Sequence, residues 1–89
     1  MDMRKLVGRN VRRIRTKKGM TQEEFAERSG FSQQYLSGLE RGRRNPTIIT
    51  LYELAAALGV NHVELVRPIR HGRLTAPRAA PGLARPGKL

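Results

Sequence analysis

Apolar residues recur along this chain at helical intervals, and no segment alternates apolar with polar residues as a half-buried strand does. Val7, Val11 and Ile14 form one stripe at i, i+4 and i+7, predicting a helix over residues 3–18. Arg4, Lys5, Arg9, Arg12, Arg13, Lys17 and Lys18 fall on its other faces, and Gly19 follows as a C-terminal stop. A second stripe, Ile48, Leu51, Leu54, Ala55 and Leu58, marks a fourth helix. It opens around residues 45–47, where Pro46 suits a first turn, and Gly59 ends it.

Three shorter helices carry local start signals. Thr21 and Glu24 make a T-x-x-E capping box for a second helix, with Met20 and Phe25 placed as a hydrophobic staple. The helix ends near Ser29, before Gly30. Ser32 opens a third helix running to about residue 41, with Phe31 and Leu36 as its staple and Gly42 as its stop. Asn61 and Glu64 make a box for a fifth, with Val60 and Leu65 as the staple and Arg67-Pro68 as the end. Five short helices with brief connections predict a compact all-α domain over residues 1–66.

The second and third helices, residues 22–29 and 33–41, meet across "SGFS". Small Ala26 stands where the two would cross, Gly30 sits in the turn, and Leu36 and Leu39 face back toward the second helix. These spacings define a helix-turn-helix. At about 100° per residue the third helix separates into two faces. Tyr35, Leu36 and Leu39 occupy one; Gln33, Ser37, Arg41, Gln34 and Gly38 occupy the other. The arc from Gln33 to Gly38 lacks the Glu and Lys of an ordinary solvated surface. It carries hydrogen-bonding amides and small residues that can press against a polar partner.

Charge indicates the partner. Eighteen basic residues against seven acidic ones leave a net +11, an excess that favours a polyanion, most often nucleic acid. Residues 67–89 hold six basic residues, none acidic, and four of the five prolines, so they read as a basic, disordered tail. That tail can add nonspecific DNA affinity or meet a protein partner. No Cys is present, and His62 and His71 stand apart from any carboxylate cluster, so no metal or other cofactor is implied. No Ser/His/Asp set or phosphate loop indicates an enzyme. No apolar run reaches membrane-spanning length and the N-terminus lacks a signal peptide's apolar stretch, so a cytoplasmic location, on the nucleoid when bound to DNA, is expected.

The stretch "RTKKGMTQEEFAERSGFSQQYLSGLERGRRNPTIITLYELAAALGV" resembles the helix-turn-helix domain of the phage λ repressor/Cro family, the XRE-type regulators, and the likeness spans about residues 6–66. The motifs T-Q-E-E-F-A, S-Q-Q-Y-L-S-G-L-E-R-G-R-R-N-P and L-A-A-A-L-G-V carry it as a set. The resemblance implies a five-helix, λ repressor-like DNA-binding domain that acts as a homodimer on a roughly palindromic operator in double-stranded DNA. It implies that the third helix lies in the major groove. Gln33 and Gln34 then read base edges, with Ser37 as a secondary reader; a Gln amide matches adenine N6 and N7. Gln22 takes the position of a backbone-phosphate ligand at a helix N-terminus. Arg41, Arg43 and Arg44 are expected as phosphate clamps, with Arg12 and Lys17 as further candidates. Arg15 and Glu40 match a partly buried ion pair joining the first helix to the third. Val60, Val63 and Val66 exceed what one short helix needs to bury, at the end of the domain that pairs two copies in the family. Gly38 departs from relatives that carry a base-reaching side chain there. A transcription regulator is the resulting expectation. The alternative is an antitoxin whose flexible segment folds on a toxin, which a Pro/Arg-rich tail suits poorly.

Overall fold

The computed structural model describes residues 2–69, and five helices follow one another there: α1 (Met3–Lys17), α2 (Gln22–Ser29), α3 (Gln33–Glu40), α4 (Ile48–Leu58) and α5 (Val63–Val66). No strand occurs among the described residues. Residues 70–89, with His71 and nearly all of the basic tail, lie outside them.

Each helix starts where a side chain captures free backbone N–H groups. Asp2 Oδ1 accepts the Arg4 amide at 3.0 Å and opens α1. At α2 the box is complete: Thr21 Oγ1 accepts the Glu24 amide at 3.0 Å and Glu24 Oε1 accepts the Thr21 amide at 2.8 Å. Ser32 Oγ accepts the Tyr35 amide at 3.0 Å to open α3. Caps of this kind contribute ~0.5–2 kcal/mol each.

Two starts differ from the sequence reading. α4 begins at Ile48 because Thr47 is its cap, its Oγ1 accepting the Thr50 amide at 3.1 Å; Pro46 therefore precedes the helix instead of lying in its first turn. The Asn61–Glu64 box does not form. Asn61 Oδ1 accepts the Val63 amide, one residue earlier than a box requires, and the Glu64 carboxylate turns to Arg67, 2.9 Å away. α5 spans four residues, and Arg67, before Pro68, is already extended.

The core gathers Val7, Val11 and Ile14 of α1, Phe25 of α2, Leu36 and Leu39 of α3, Leu54, Ala55 and Leu58 of α4, and Leu65 of α5, with Met20 beside them. α1 packs on α3 and α5, α2 on α3 and α4. Ile48 departs from its stripe and is 83% exposed, because the core ends about one turn further along α4. A buried polar residue joins the core from α1: the Asn10 amide donates to Leu65 O and Arg67 O, both at 2.9 Å. It holds the end of α5 against α1. Gly8 lets α3 approach α1, since a Cβ there would stand 2.5 Å from the Leu39 carbonyl oxygen.

Candidate nucleic-acid interface

α3 is held from behind and at both ends, which leaves its polar face outward. Gly30 ends α2 at φ 81°, a left-handed conformation that glycine adopts without strain, and the turn sends the chain into the Ser32 cap. Leu36 and Leu39 are fully buried, so the opposite side of α3 faces solvent. Gln33 and Gln34 lie exposed in its first turn, Arg41 is exposed just past its end, and Ser37 is half-buried between them.

The acidic residue of α3 does not reach that face. Glu40 accepts Arg15 Nε at 2.6 Å and Arg15 Nη2 at 3.0 Å, while Arg15 Nη1 donates to Met20 O at 2.8 Å. The side chains are 12% and 5% exposed for Arg15 and Glu40. The pair ties α1 to α3 and withdraws the negative charge from the outward surface. Gln22, the first residue of α2, is half-buried beside this pair, its Nε2 3.4 Å from Glu40 Oε1. That distance is the loose end of hydrogen bonding.

The arginines follow a tight reversal. Gly42, at φ 77°, donates to Leu39 O at 3.0 Å, and Arg43 N–H donates to Gly38 O at 2.9 Å. This is the Schellman pairing that satisfies the last carbonyls of a helix, and it folds the chain back along α3. Arg43 is exposed. Arg44 instead lies across the helix. A Cβ on Gly38 would stand 3.0 Å from Arg44 Nε and 3.5 Å from its Cγ. The Arg44 guanidinium carbon is 5.3 Å from the Tyr35 ring centroid, a cation–π contact of ~0.5–1 kcal/mol at an exposed site. Tyr35 in turn stacks on Phe31 at 5.2 Å.

Lys5 belongs beside this turn. A Cβ on Gly42 would meet Lys5 Cγ at 2.8 Å and Lys5 Cα at 3.1 Å, so the start of α1 abuts the arginine segment. The sequence reading left Lys5 on an undivided outer face, and no spacing rule links residues 5 and 42. Arg12 and Lys17 are exposed on α1 and take no part in the hydrogen-bonded cluster around Glu40.

A separate apolar surface lies on α4 and α5. Val63 is 43% exposed, whereas Val60 and Val66 are half-buried and pack on the chain's own core. The larger exposed apolar residues are Ile48, Ile49 at 68% and Tyr52 at 62%. A groove lined by Ile48, Ile49, Leu51, Tyr52, His62 and Val66 runs through them. Pattern reasoning missed Ile49 and Tyr52, although two adjacent isoleucines at a helix start exceed what one stripe can bury. No described helix is long and apolar enough to cross a membrane.

A family model described as helix-turn-helix matches residues 11–65. The chain is 78% identical over 68 residues to the HTH-type transcriptional regulator y4dJ of Sinorhizobium fredii, spanning 76% of this chain and 88% of that protein. Among solved structures, the restriction-modification controller protein C.AhdI from Aeromonas hydrophila aligns with a TM-score of 0.67 at 39% identity, over 70% of this chain and 94% of that one. The controller protein C.Esp1396I, as a tetramer with its natural 35 base-pair operator, aligns with a TM-score of 0.68 at 37% identity, over 73% and 86% of the two chains.

Proposed function

The chain belongs to the helix-turn-helix (HTH_3) family of DNA-binding transcriptional regulators, and on that premise we propose that it binds a roughly palindromic operator as a homodimer, with α3 in the major groove. One observation carries the reading. The outward face of α3 presents Gln33 and Gln34 exposed in its first turn, while the single carboxylate of α3, Glu40, is turned inward to Arg15. Neutral amides at that position can pair with adenine N6 and N7, and the following basic turn supplies charge for the backbone.

In this proposal Gln33 and Gln34 read bases and Ser37, half-buried at their side, adds a shorter-range contact. Arg41, Arg43 and the neighbouring Lys5 hold phosphates, and Arg12 and Lys17 extend that charge along α1. Gln22 sits at the positive end of α2, and its 3.4 Å contact to Glu40 is weak enough to be exchanged for a phosphate oxygen. The operator complex of C.Esp1396I, a chain of the same fold, supports operator binding by this fold.

Two copies pair through the α4–α5 surface, where Ile48, Ile49 and Tyr52 join Val63 and the groove-lining Val66. Two-fold pairing sets half-sites about one helical turn apart, roughly 34–36 Å. Selection of bound duplexes from a random pool tests the proposal. Enrichment of inverted half-sites at that spacing is the expected result; enrichment of no sequence, with retention by charge alone, overturns it.

A further inference from the structure

We propose that Arg44 is a base-reading residue, delivered to the groove face of α3 by Gly38 and Tyr35, and that its ligand is the O6/N7 edge of a guanine. This rests on the reading of α3 as the major-groove helix. It differs in assigning Arg44 a base where the family resemblance implies a phosphate.

Three features of the fold converge on this one side chain. The Schellman turn at Gly42 reverses the chain, so that Arg44 runs back along α3 instead of away from it. Gly38 leaves a bare strip on the helix, and the Arg44 stem fills it: a Gly38 Cβ would stand 3.0 Å from Arg44 Nε, so the arginine would have to give way slightly to a side chain there. The Tyr35 ring, half-buried at the border of the apolar face about 60° around the helix from Gly38 and itself stacked on Phe31, then supports the guanidinium. Gly38 lies one turn after Gln34 on the same edge of the helix, so Arg44 takes the place in the row of readers that a side chain at residue 38 would hold.

The chemistry suits a base edge. A guanidinium resting on an aromatic ring has its N–H groups directed in its own plane, and a planar fork of two donors matches guanine O6 and N7. A clamp on a phosphate needs no such support, and among the described residues Arg43, exposed in the same turn, lies over no aromatic ring. An interior helix glycine lowers helix stability. Here that loss has a counterpart: the missing side chain is the space through which a residue from the next turn reaches the DNA.

Selection and sequencing of bound duplexes is run with the full chain and with Arg44→Ala, Arg44→Lys, Gly38→Ala and the Gly38→Ala/Arg44→Ala pair, after circular dichroism confirms that each is helical. Arg44 is exposed and alanine favours helix, so all four are built to fold. The expected wild-type profile contains a guanine at one position per half-site. Arg44→Ala and Arg44→Lys both flatten that position by roughly tenfold or more and leave the positions read by Gln33 in place. Gly38→Ala flattens the same position, and in the Arg44→Ala background it removes nothing further there. A uniform loss of affinity in Arg44→Ala with an unchanged profile overturns the inference alone, as does a Gly38→Ala profile identical to wild type or full retention of the guanine by Arg44→Lys. A wild-type chain that selects no sequence overturns the operator reading and this inference with it.

Discussion

Arg15 and Glu40 meet across the α1–α3 contact in a two-point ion pair, Nε to Oε2 at 2.6 Å and Nη2 to Oε1 at 3.0 Å. The same guanidinium also donates to Met20 O, at the residue before the α2 cap. One arginine thus joins α1, the entry to α2 and the end of α3. Glu40→Ala leaves that guanidinium without its carboxylate in a nearly buried site and is expected to cost ~3–5 kcal/mol in urea unfolding. Replacing both partners with apolar residues of similar size, Arg15→Met with Glu40→Leu, is expected to cost less than Glu40→Ala alone, because no buried charge remains.

Readers and clamps separate by what they change. Gln33→Ala should remove ~1–3 kcal/mol of discrimination at one or two base pairs per half-site and leave the rest of the binding profile intact. Arg43→Ala should weaken all sequences nearly alike and reduce the slope of log affinity against log salt by about one phosphate contact. Titrations of matched and mismatched duplexes at several salt concentrations distinguish the two; the same response from both variants would falsify the division.

The α4–α5 surface is tested by charge. Ile49→Glu and Tyr52→Glu place a carboxylate where side chains are 68% and 62% exposed in the single chain, so the fold itself should be little affected. Burial of that carboxylate between two copies should weaken dimerisation at least about tenfold, or ~1.4 kcal/mol. Sedimentation equilibrium measures it. Unchanged association in both variants would place the pairing surface elsewhere.

Acid should weaken the start of α2. The Thr21 backbone N–H, and then its hydroxyl, hold the Glu24 carboxyl below its usual 4.5. Glu64 is lowered likewise, first by its hydrogen bond to Arg67. A carboxyl with a depressed folded value contributes stability that is present above the unfolded value and lost as pH falls through the folded one. The melting temperature should therefore drop below about pH 4.5, and the difference between wild type and Glu24→Gln should shrink over the same window. A difference that grows with acid contradicts this assignment.

Short-range signals were legible because they act over three or four residues. Thr21 with Glu24, Ser32 with the Tyr35 amide, and the glycines after α1, α2, α3 and α4 specify helix ends through geometry that a sequence window contains. The polar face of α3 was legible for the same reason: helical period alone separates Gln33 and Gln34 from Leu36 and Leu39. The five-helix, λ repressor-like fold follows from these signals together with the family resemblance, and the matching structures share it.

Local pattern thus placed the ends of α1, α2 and α3 and the residues that share a face, while the starts of α4 and α5 departed from it. Tertiary structure decided which faces meet. Asn10 is buried because Leu65 and Arg67, 55 and 57 residues away, bring carbonyls to its amide. Ile48 is exposed because the core stops short of it, although its period matches that of Leu51 and Leu54. Arg44 crosses Gly38 only after the turn at Gly42 has reversed the chain. Periodicity places a side chain around its own helix axis; burial and reach depend on how far neighbouring helices extend, and the packing of the whole domain decides that.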